Sequence, residues 1–317
     1  MFSKYQYVHM LYQERSFTRA AEKLFISQPS LSAAIRSVEE QMGVTLFQRT
    51  GAGVVPTDVG QVYVDAVEEI IRIEKECMRK IDDIGNLTTG SLTVGGTNYL
   101  SSFVFPRIIN AFSQQYPGIQ VENVEAHSDR LEEMMKNDQV DLVIDSFDSA
   151  QTSLYKLSPL VRERVLLCVP SGRPVNRELA DYAIHPEDLY RGTVNLDRVK
   201  PVSIRQFQNE DFIALKKGNN MYTRAVDIFR KGGITPRIRF LVDQLNIACS
   251  MVELGTGLCF ATDTVFRYGK FSNDVTLYQI GEDDRSRTLC IAMRKGKYCS
   301  RVMDHFAMTA RDVIRSK

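Results

Sequence analysis

No stretch of this 317-residue sequence approaches the ~20 consecutive apolar residues that a bilayer span requires. The opening Met1-Phe2-Ser3-Lys4-Tyr5-Gln6 has no long apolar run followed by a small-residue cleavage site, so a soluble, cytoplasmic protein without membrane contact is expected. Charge of one sign is also scarce: 40 basic residues stand against 39 acidic ones, a net +1. That excludes an overall basic field, and any affinity for nucleic acid must come from a local surface. The six cysteines (Cys77, Cys168, Cys249, Cys259, Cys290, Cys299) form no Cys-x-x-Cys pair and the four histidines lie far apart, so neither a metal nor a cofactor is expected. Reduced packing thiols are the plain reading. Two of them could still meet in space as a redox pair, and the spacing names no particular two. A Gly-rich phosphate loop, a Gly-x-Ser-x-Gly turn and a metal-spaced His/Cys set are all missing, which argues against an enzyme, although Cys168 or His127 could be recruited by the fold. What is present, 44% apolar and 25% charged residues, is a globular composition at a length that suits two or three domains.

Phe2, Tyr5, Val8, Leu11 and Tyr12 recur at steps of three and four, the inner face of an opening helix that ends near Glu14-Arg15-Ser16. A short second helix follows, with Thr18 as its cap and Ala20, Ala21 and Leu24 as a small apolar face. A third starts at Ser27-Gln28-Pro29, a cap followed by a proline whose missing N–H is harmless in a first turn. Its inward stripe is Leu31, Ile35 and Val38; Pro29, Ser32, Ala33 and Arg36 share the opposite face. Such a small polar face fits a major groove, where Gln28, Ser30 and Ser32 could bond bases or phosphates and Arg36 could pair with guanine or phosphate. Spacing alone leaves an ordinary helical hairpin with a solvated face equally open.

The residues themselves go further. Ser16-Phe17-Thr18-Arg19-Ala20-Ala21-Glu22-Lys23-Leu24, Ser27-Gln28-Pro29-Ser30-Leu31-Ser32, Ile35, Glu39, Gly43, Leu46-Phe47 and Arg49 closely resemble the N-terminal signature of LysR-type transcriptional regulators, without a gap from about residue 2 to Gly60. The resemblance implies a winged helix-turn-helix over 1–60 that binds double-stranded DNA, with the third helix as recognition helix and Val44 to Thr57 as wing. Thr18, Ser27, Gln28, Pro29, Ser30, Ser32, Ala33, Arg36 and Arg49 are then the DNA-facing set. Two departures thin the base readout: Ala33 and Ala34 stand where many members carry arginine and glutamine, and the wing Thr50-Gly51-Ala52-Gly53-Val54 lacks a basic tip. Six basic and five acidic residues over 1–60 add little, so affinity is expected to lean on a dimer reading two half-sites.

From Thr57, an N-cap, to Gly85 the sequence has no proline and repeats Val59, Val62, Ala66, Ile70, Ile73, Cys77, Ile81 and Ile84 at steps of 3, 4, 4, 3, 4, 4 and 3. Such a repeat of eleven, ~3.67 residues per turn, predicts a long amphipathic helix that pairs nearly straight. The stripe could pack on the chain's own remainder or on a second copy. The resemblance implies the second, a linker over 61–90 that builds a dimer and then a tetramer, and leaves RNA polymerase as a further contact.

Beyond Gly90 strands and helices alternate at βαβ spacing, in a first set from Ser91 to Asp145 and a second from Phe212 to Ala261, with Glu163 to Pro170 crossing between them. The tail, with strands near Thr276 to Tyr278 and Thr288 to Ala292 and a helix from Val302, is expected to return to the first set. Two parallel sheets joined by two crossings resemble the periplasmic-binding-protein fold, the effector domain the family implies over 91–317, with lobe I at 91–163 and 268–317 and lobe II at 164–267. The whole chain is thus expected to be α/β. Ligands of such sheets sit at carboxyl strand ends and helix starts, which selects Thr97, Asn98, Tyr99, Ser101, Ser102, Ser128, Asp145, Ser146, Lys217 and Asn219. Each hydroxyl is equally at home as a plain cap. A carboxylate suits the helix start at Thr97, Ser101 and Ser102, and Asp145 across the cleft suits an ammonium, so an amino acid or a simple carboxylate is the expected effector. The rival class is an enzyme or transport protein using the two lobes alone.

Overall fold

A computed structural model describes residues 4–51, 53–84, 89–147, 153–283 and 287–316. Phe2 of the opening stripe, Ala52 of the wing, and Gly85 with residues 86–88 at the linker's end lie outside them. The chain divides into two compact units, Met1–Ile81 and Asp82–Lys317.

In the first unit α1 (Tyr5–Glu14), α2 (Phe17–Lys23) and α3 (Gln28–Met42) precede a hairpin of β1 (Phe47–Thr50) and β2 (Gly53–Pro56), and α4 (Asp58–Ile84) follows. Val8, Leu11, Ala20, Leu31, Ile35 and Val38 bury together with Leu46, Val54 and Val64, so the three-helix core extends over the wing and the start of α4. Arg15 ends α1 in the left-handed region at φ 51°, and its carbonyl accepts from Val54 N–H at 3.0 Å, tying the turn to the wing. The cap of α2 is corrected: the helix begins at Phe17, so extended Ser16 accepts from Arg19 N–H at 3.4 Å, and Thr18 lies exposed inside the first turn. Ser27 caps α3, accepting from Ser30 N–H at 3.2 Å, and Thr57 accepts from Gly60 N–H at 2.9 Å at the start of α4. Along α4, Tyr63, Val64 and Val67 are buried, while Val59, Val62, Ile73 and Ile81 are exposed.

The second unit holds two sheets. β3 (Gly90–Gly96) leads through a π-helical turn, Leu100–Val104, into α5 (Phe105–Gln115); β4 (Ile119–Glu125), α6 (Ser128–Lys136), β5 (Leu142–Ser146) and β6 (Tyr155–Glu163) follow. Next come β7 (Val165–Pro170), the short helices α7 (Val175–Glu178) and α8 (Pro186–Arg191), β8 (Asp211–Leu215), α9 (Asn220–Gly232), β9 (Arg237–Val242), α10 (Leu245–Glu253), β10 (Cys259–Thr262) and α11 (Asp263–Tyr268). The chain closes with β11 (Val275–Gln279), β12 (Arg287–Arg294) and α12 (Arg301–Arg315).

The first sheet runs β4-β3-β5-β12-β6, with β3 parallel to β4 and β5, and β12 antiparallel to β5 and β6. In the second, β7 is antiparallel to both β10 and β11, while β8 and β9 are parallel and join β10 through the Phe212–Leu258 bridge. Both sheets are therefore mixed, and two expectations change. Tyr155–Glu163 is a strand of the first sheet before the crossing at Arg164. Val275–Gln279 stays in the second sheet, bonded to Val165–Pro170, so the return crossing falls between Gln279 and Arg287 rather than at 268. The alternation of buried residues could not tell which sheet an apolar strand joins, because both are covered on two faces.

Candidate functional site

Two surfaces carry the polar residues selected from the sequence. On the first unit, Thr18, Ser27, Pro29, Ser30, Ala33, Arg36 and Arg49 are exposed and Gln28 and Ser32 half-buried. Ser27 and Ser30 hydroxyls lie 2.7 Å apart, and Gln28 donates its amide to Ser32 at 2.9 Å, which fixes both side chains along the first turn of α3. Arg15, Ser16, Thr18, Arg19, Gln28, Arg49 and Thr50 surround a concavity of about 470 Å³ between the α2 start and the wing. Arg49 sits 5.8 Å above the Phe17 ring. Three arginines, Arg15, Arg19 and Arg49, thus gather beside the start of α2. Arg15 and Arg19 were not among the sequence candidates. The left-handed turn at Arg15 that carries it toward the wing has no mark in the sequence, and Arg19 also donates to the Glu14 carbonyl at 2.6 Å.

The second surface is a cleft of about 290 Å³ in the second unit. Thr97, Asn98, Tyr99 and Ser128 line it from the first sheet's side and Asn219 from the second's, as the strand-end argument expected. Asn219 also caps α9, accepting from Met221 N–H at 2.9 Å. The remaining expected residues do not line it. Ser101 N–H donates to the Thr97 carbonyl at 2.9 Å, so the helix starts at Thr97 and Ser101 and Ser102 lie a turn further in. Ser102 accepts from Asn246 of α10 at 3.0 Å and the Ser146 carbonyl from Asn220 of α9 at 3.3 Å, two bonds from one lobe to the other. Gln244 donates to Glu125 at 3.3 Å, adding a third. Lys217 is exposed on the approach to α9 and lines no wall of the cleft.

Asp145 lies behind the wall, 2% exposed. Its carboxylate accepts from Ser128 at 2.6 Å and from Ser146 N–H at 2.7 Å, and Arg287 Nη2 stands 3.8 Å away. Sealed there and outside the lining, it does not meet an effector's ammonium, which corrects that expectation. Arg287, 6% exposed, is shared: Nη2 donates to Tyr99 Oη at 3.3 Å, and Nε lies 2.8 Å from Glu163 Oε2 without aiming its N–H there. Tyr99 in turn donates to Glu163 at 3.1 Å. Two buried carboxylates thus face one guanidinium. Burial pushes both Asp145 and Glu163 upward, and Arg287 only partly opposes it.

Two residues that line the cleft carry buried hydroxyls with no partner among the described residues, Thr97 Oγ1, with its residue 9% exposed, and Thr262 Oγ1, fully buried. They come from opposite lobes. Glu125, His127, Arg130, Asn220, Asp243, Gln244 and Arg287 complete the polar lining. Thr262 ends β10, so the rule that found Thr97 reaches it too; Arg287 opens an apolar strand and has no sequence signal.

The sequence profile of the LysR substrate binding domain matches residues 85–315, and that of the bacterial regulatory helix-turn-helix protein, lysR family, matches residues 2–61. The chain belongs to the LysR family. As a LysR-type chain it is a DNA-binding transcriptional regulator controlled by an effector, with a helix-turn-helix domain and an effector-binding domain in one α/β chain. It is 28% identical over 315 residues to the uncharacterized HTH-type transcriptional regulator YcgK of Bacillus subtilis, covering 98% of this chain and 94% of that one. The crystal structure of full-length CbnR complexed with its target DNA shares the fold with a TM-score of 0.63 at 16% identity, covering 99% of each chain. The effector binding domain of QuiR in complex with shikimate does so with a TM-score of 0.55 at 16% identity, over 72% of this chain and 98% of that one. No described helix of this LysR-family chain is long and apolar enough to cross a membrane.

Proposed function

We propose that this regulator senses a small carboxylate, with or without an amino group, held between the Thr97 and Thr262 hydroxyls. The observation that carries this reading is that pair: two buried, unpartnered donors, one from each lobe, on a single cleft. An orphaned buried hydroxyl costs stability until something bonds it, so the site favours a ligand that accepts from both. Shikimate, the molecule in complex with the QuiR effector binding domain, is a carboxylate of suitable size. An amino-acid effector has a second observation in its favour, since Glu125 and Asp243 line the same cleft and can accept from an ammonium in place of Asp145. The cleft is read as binding rather than transforming its ligand, since its buried carboxylates are engaged with Arg287 and Tyr99.

DNA is read by Gln28, Ser30, Ser32 and Arg36 on α3, while Thr18, Ser27, Arg49, Arg15 and Arg19 hold phosphates, with Pro29 and Ala33 giving the small surface that fits the groove. Two chains pair along α4, giving domains of 1–60, 61–90 and 91–317. The lobe division follows the strand pairing, 91–163 with 287–317 and 164–279. The site of action is the cytoplasm, where RNA polymerase is the further partner of such a regulator. The experiment is a thermal-shift screen of organic acids and matched amino acids. A ligand at a hundredfold excess over Kd stabilises by about 2.7 kcal/mol, and Thr97→Val and Thr262→Val are each expected to abolish the shift. A hit that survives both substitutions refutes the site; Glu125→Gln separates the amino acids from the simple acids.

A further inference from the structure

Three of the six cysteines meet in the core of the second lobe. Cys168 on β7 and Cys259 on β10 are direct partners across antiparallel strands, and Cys249 of α10 packs down on both. Their sulfurs lie within 4.8 Å of one another, and the residues are 0%, 1% and 2% exposed for Cys168, Cys259 and Cys249. Three sulfurs held about one pyramidal centre by bonds of about 2.3 Å would be separated by about 3.5 Å, so closing on one atom needs an approach of at most about 1.3 Å.

From this geometry we infer that Cys168, Cys249 and Cys259 form a binding site for a trivalent thiophilic species of the arsenite class. Charge decides between the thiophiles. A trivalent centre with three thiolates is neutral, whereas cuprous copper would leave two negative charges and zinc one in an apolar core. The charged side chain acting on the trio is the Glu253 carboxylate, which adds to a negative surplus. Structural zinc also takes four ligands, and the described residues bring no fourth to this cluster.

The step balances without an oxidant. As(OH)3 and three thiols give As(SR)3 and three waters: three As–O bonds break, three As–S bonds form, each thiol proton leaves with a hydroxide, and arsenic stays trivalent. An apolar pocket of about 20 Å³, room for about one water, is walled by Phe212, Met221, Phe229 and Ala248 and reaches Cys259. Gln244 and Leu245 at the start of α10, and Thr262 at the end of β10, line the effector cleft, so a bond across the sulfurs ties together two walls of that cleft.

The test uses the full-length chain, reduced with a phosphine, incubated with arsenite and gel-filtered before arsenic is counted. One arsenic per chain is expected, retained by Cys77→Ser and Cys290→Ser and reduced at least tenfold by Cys168→Ser and by Cys259→Ser, with circular dichroism checking the fold of each. X-ray absorption at the arsenic edge of the unsubstituted protein, which depends on no variant, is expected to show three sulfur neighbours and no oxygen. Arsenic that washes off, a site with oxygen in its shell, retention in both core variants, or zinc or cuprous copper retained in arsenic's place would each overturn the assignment.

Discussion

Ser128 donates its hydroxyl to Asp145 at 2.6 Å, joining a residue that lines the cleft to one sealed behind it. This bond makes Asp145 a support of the cleft wall. Asp145→Ala leaves the Ser128 hydroxyl and the Ser146 N–H without their acceptor and should lower stability by about 1–3 kcal/mol. Asp145→Asn, which keeps an acceptor, should cost less. Neither should change which effectors are preferred, and a switch from amino acids to simple acids on Asp145→Asn would return Asp145 to the binding surface. Calorimetry and the ligand screen read the two effects separately.

The shared guanidinium of Arg287 has a pH signature. Burial raises the folded-state values of Asp145 and Glu163 above their ordinary 3.8 and 4.5. Between the ordinary and the raised value the folded chain binds more protons than the unfolded one, so this contribution to stability falls as pH rises through that window. Glu163→Gln removes one of the two titrations. The wild-type minus Glu163→Gln stability difference should therefore decline from about pH 4.5 upward; a difference that grows with pH would mean that Arg287 outweighs burial at Glu163.

Local chemistry was the legible part of this molecule. Ser27, Pro29 and Thr57 announced their helix starts because capping depends on neighbours in sequence, and Thr97 followed from the rule of strand ends. Thr18 misled because two hydroxyls, at 16 and 18, were eligible and only the entry of the chain after Arg15 chooses between them. Arg287, Glu163 and the three cysteines were invisible for another reason: Arg287 and Glu163 meet Tyr99 across 188 and 64 residues, and the cysteines are brought together by sheet order. Val275–Gln279 joined the second sheet for the same reason, since both sheets accept an apolar strand.

Gly60 shows how closely α4 leaves the wing. A Cβ there would lie 1.9 Å from the Leu46 carbonyl oxygen and 3.1 Å from Thr57 Oγ1. The first contact is with backbone that itself accepts from Thr57 N–H at 2.9 Å, so it cannot yield cheaply. Gly60→Ala should destabilise the first unit by about 1–3 kcal/mol, as overpacking does, and weaken DNA binding through the displaced wing. Urea unfolding that matches wild type would show that the helix start can shift without loss.

Arg36 is exposed on α3 and Arg49 stands at the end of β1, so the two should fail differently. Arg36→Ala and Gln28→Ala should each cost about 1–3 kcal/mol, roughly 5- to 150-fold, and relax sequence preference if the contact is to a base edge. Arg49→Ala should weaken all sequences alike and lower the salt slope by about one. Fluorescence anisotropy over a salt series separates the two patterns. Wild-type affinity after Arg36→Ala would remove α3 from the groove.

Ile73 is 58% exposed and Val62 69% on a single chain, part of a stripe that α4 turns away from its own buried Val64 and Val67. Water-exposed isoleucine and valine at intervals of an eleven-residue repeat gain only when a second surface covers them, and the repeat matches another copy of itself. Ile73→Glu would place a charge in that seam at a cost the seam cannot offset with a partner. The substitution leaves the fold of one chain intact because the site is already solvated there. Light scattering should therefore report a halved mass with unchanged circular dichroism, and affinity for a paired operator should drop toward that of one half-site. Lys75→Glu, two residues on and about 200° around the helix, should leave the mass and the operator affinity unchanged. A dimer that persists in Ile73→Glu would place the subunit contact on some other surface and leave the exposed stripe of α4 to another partner.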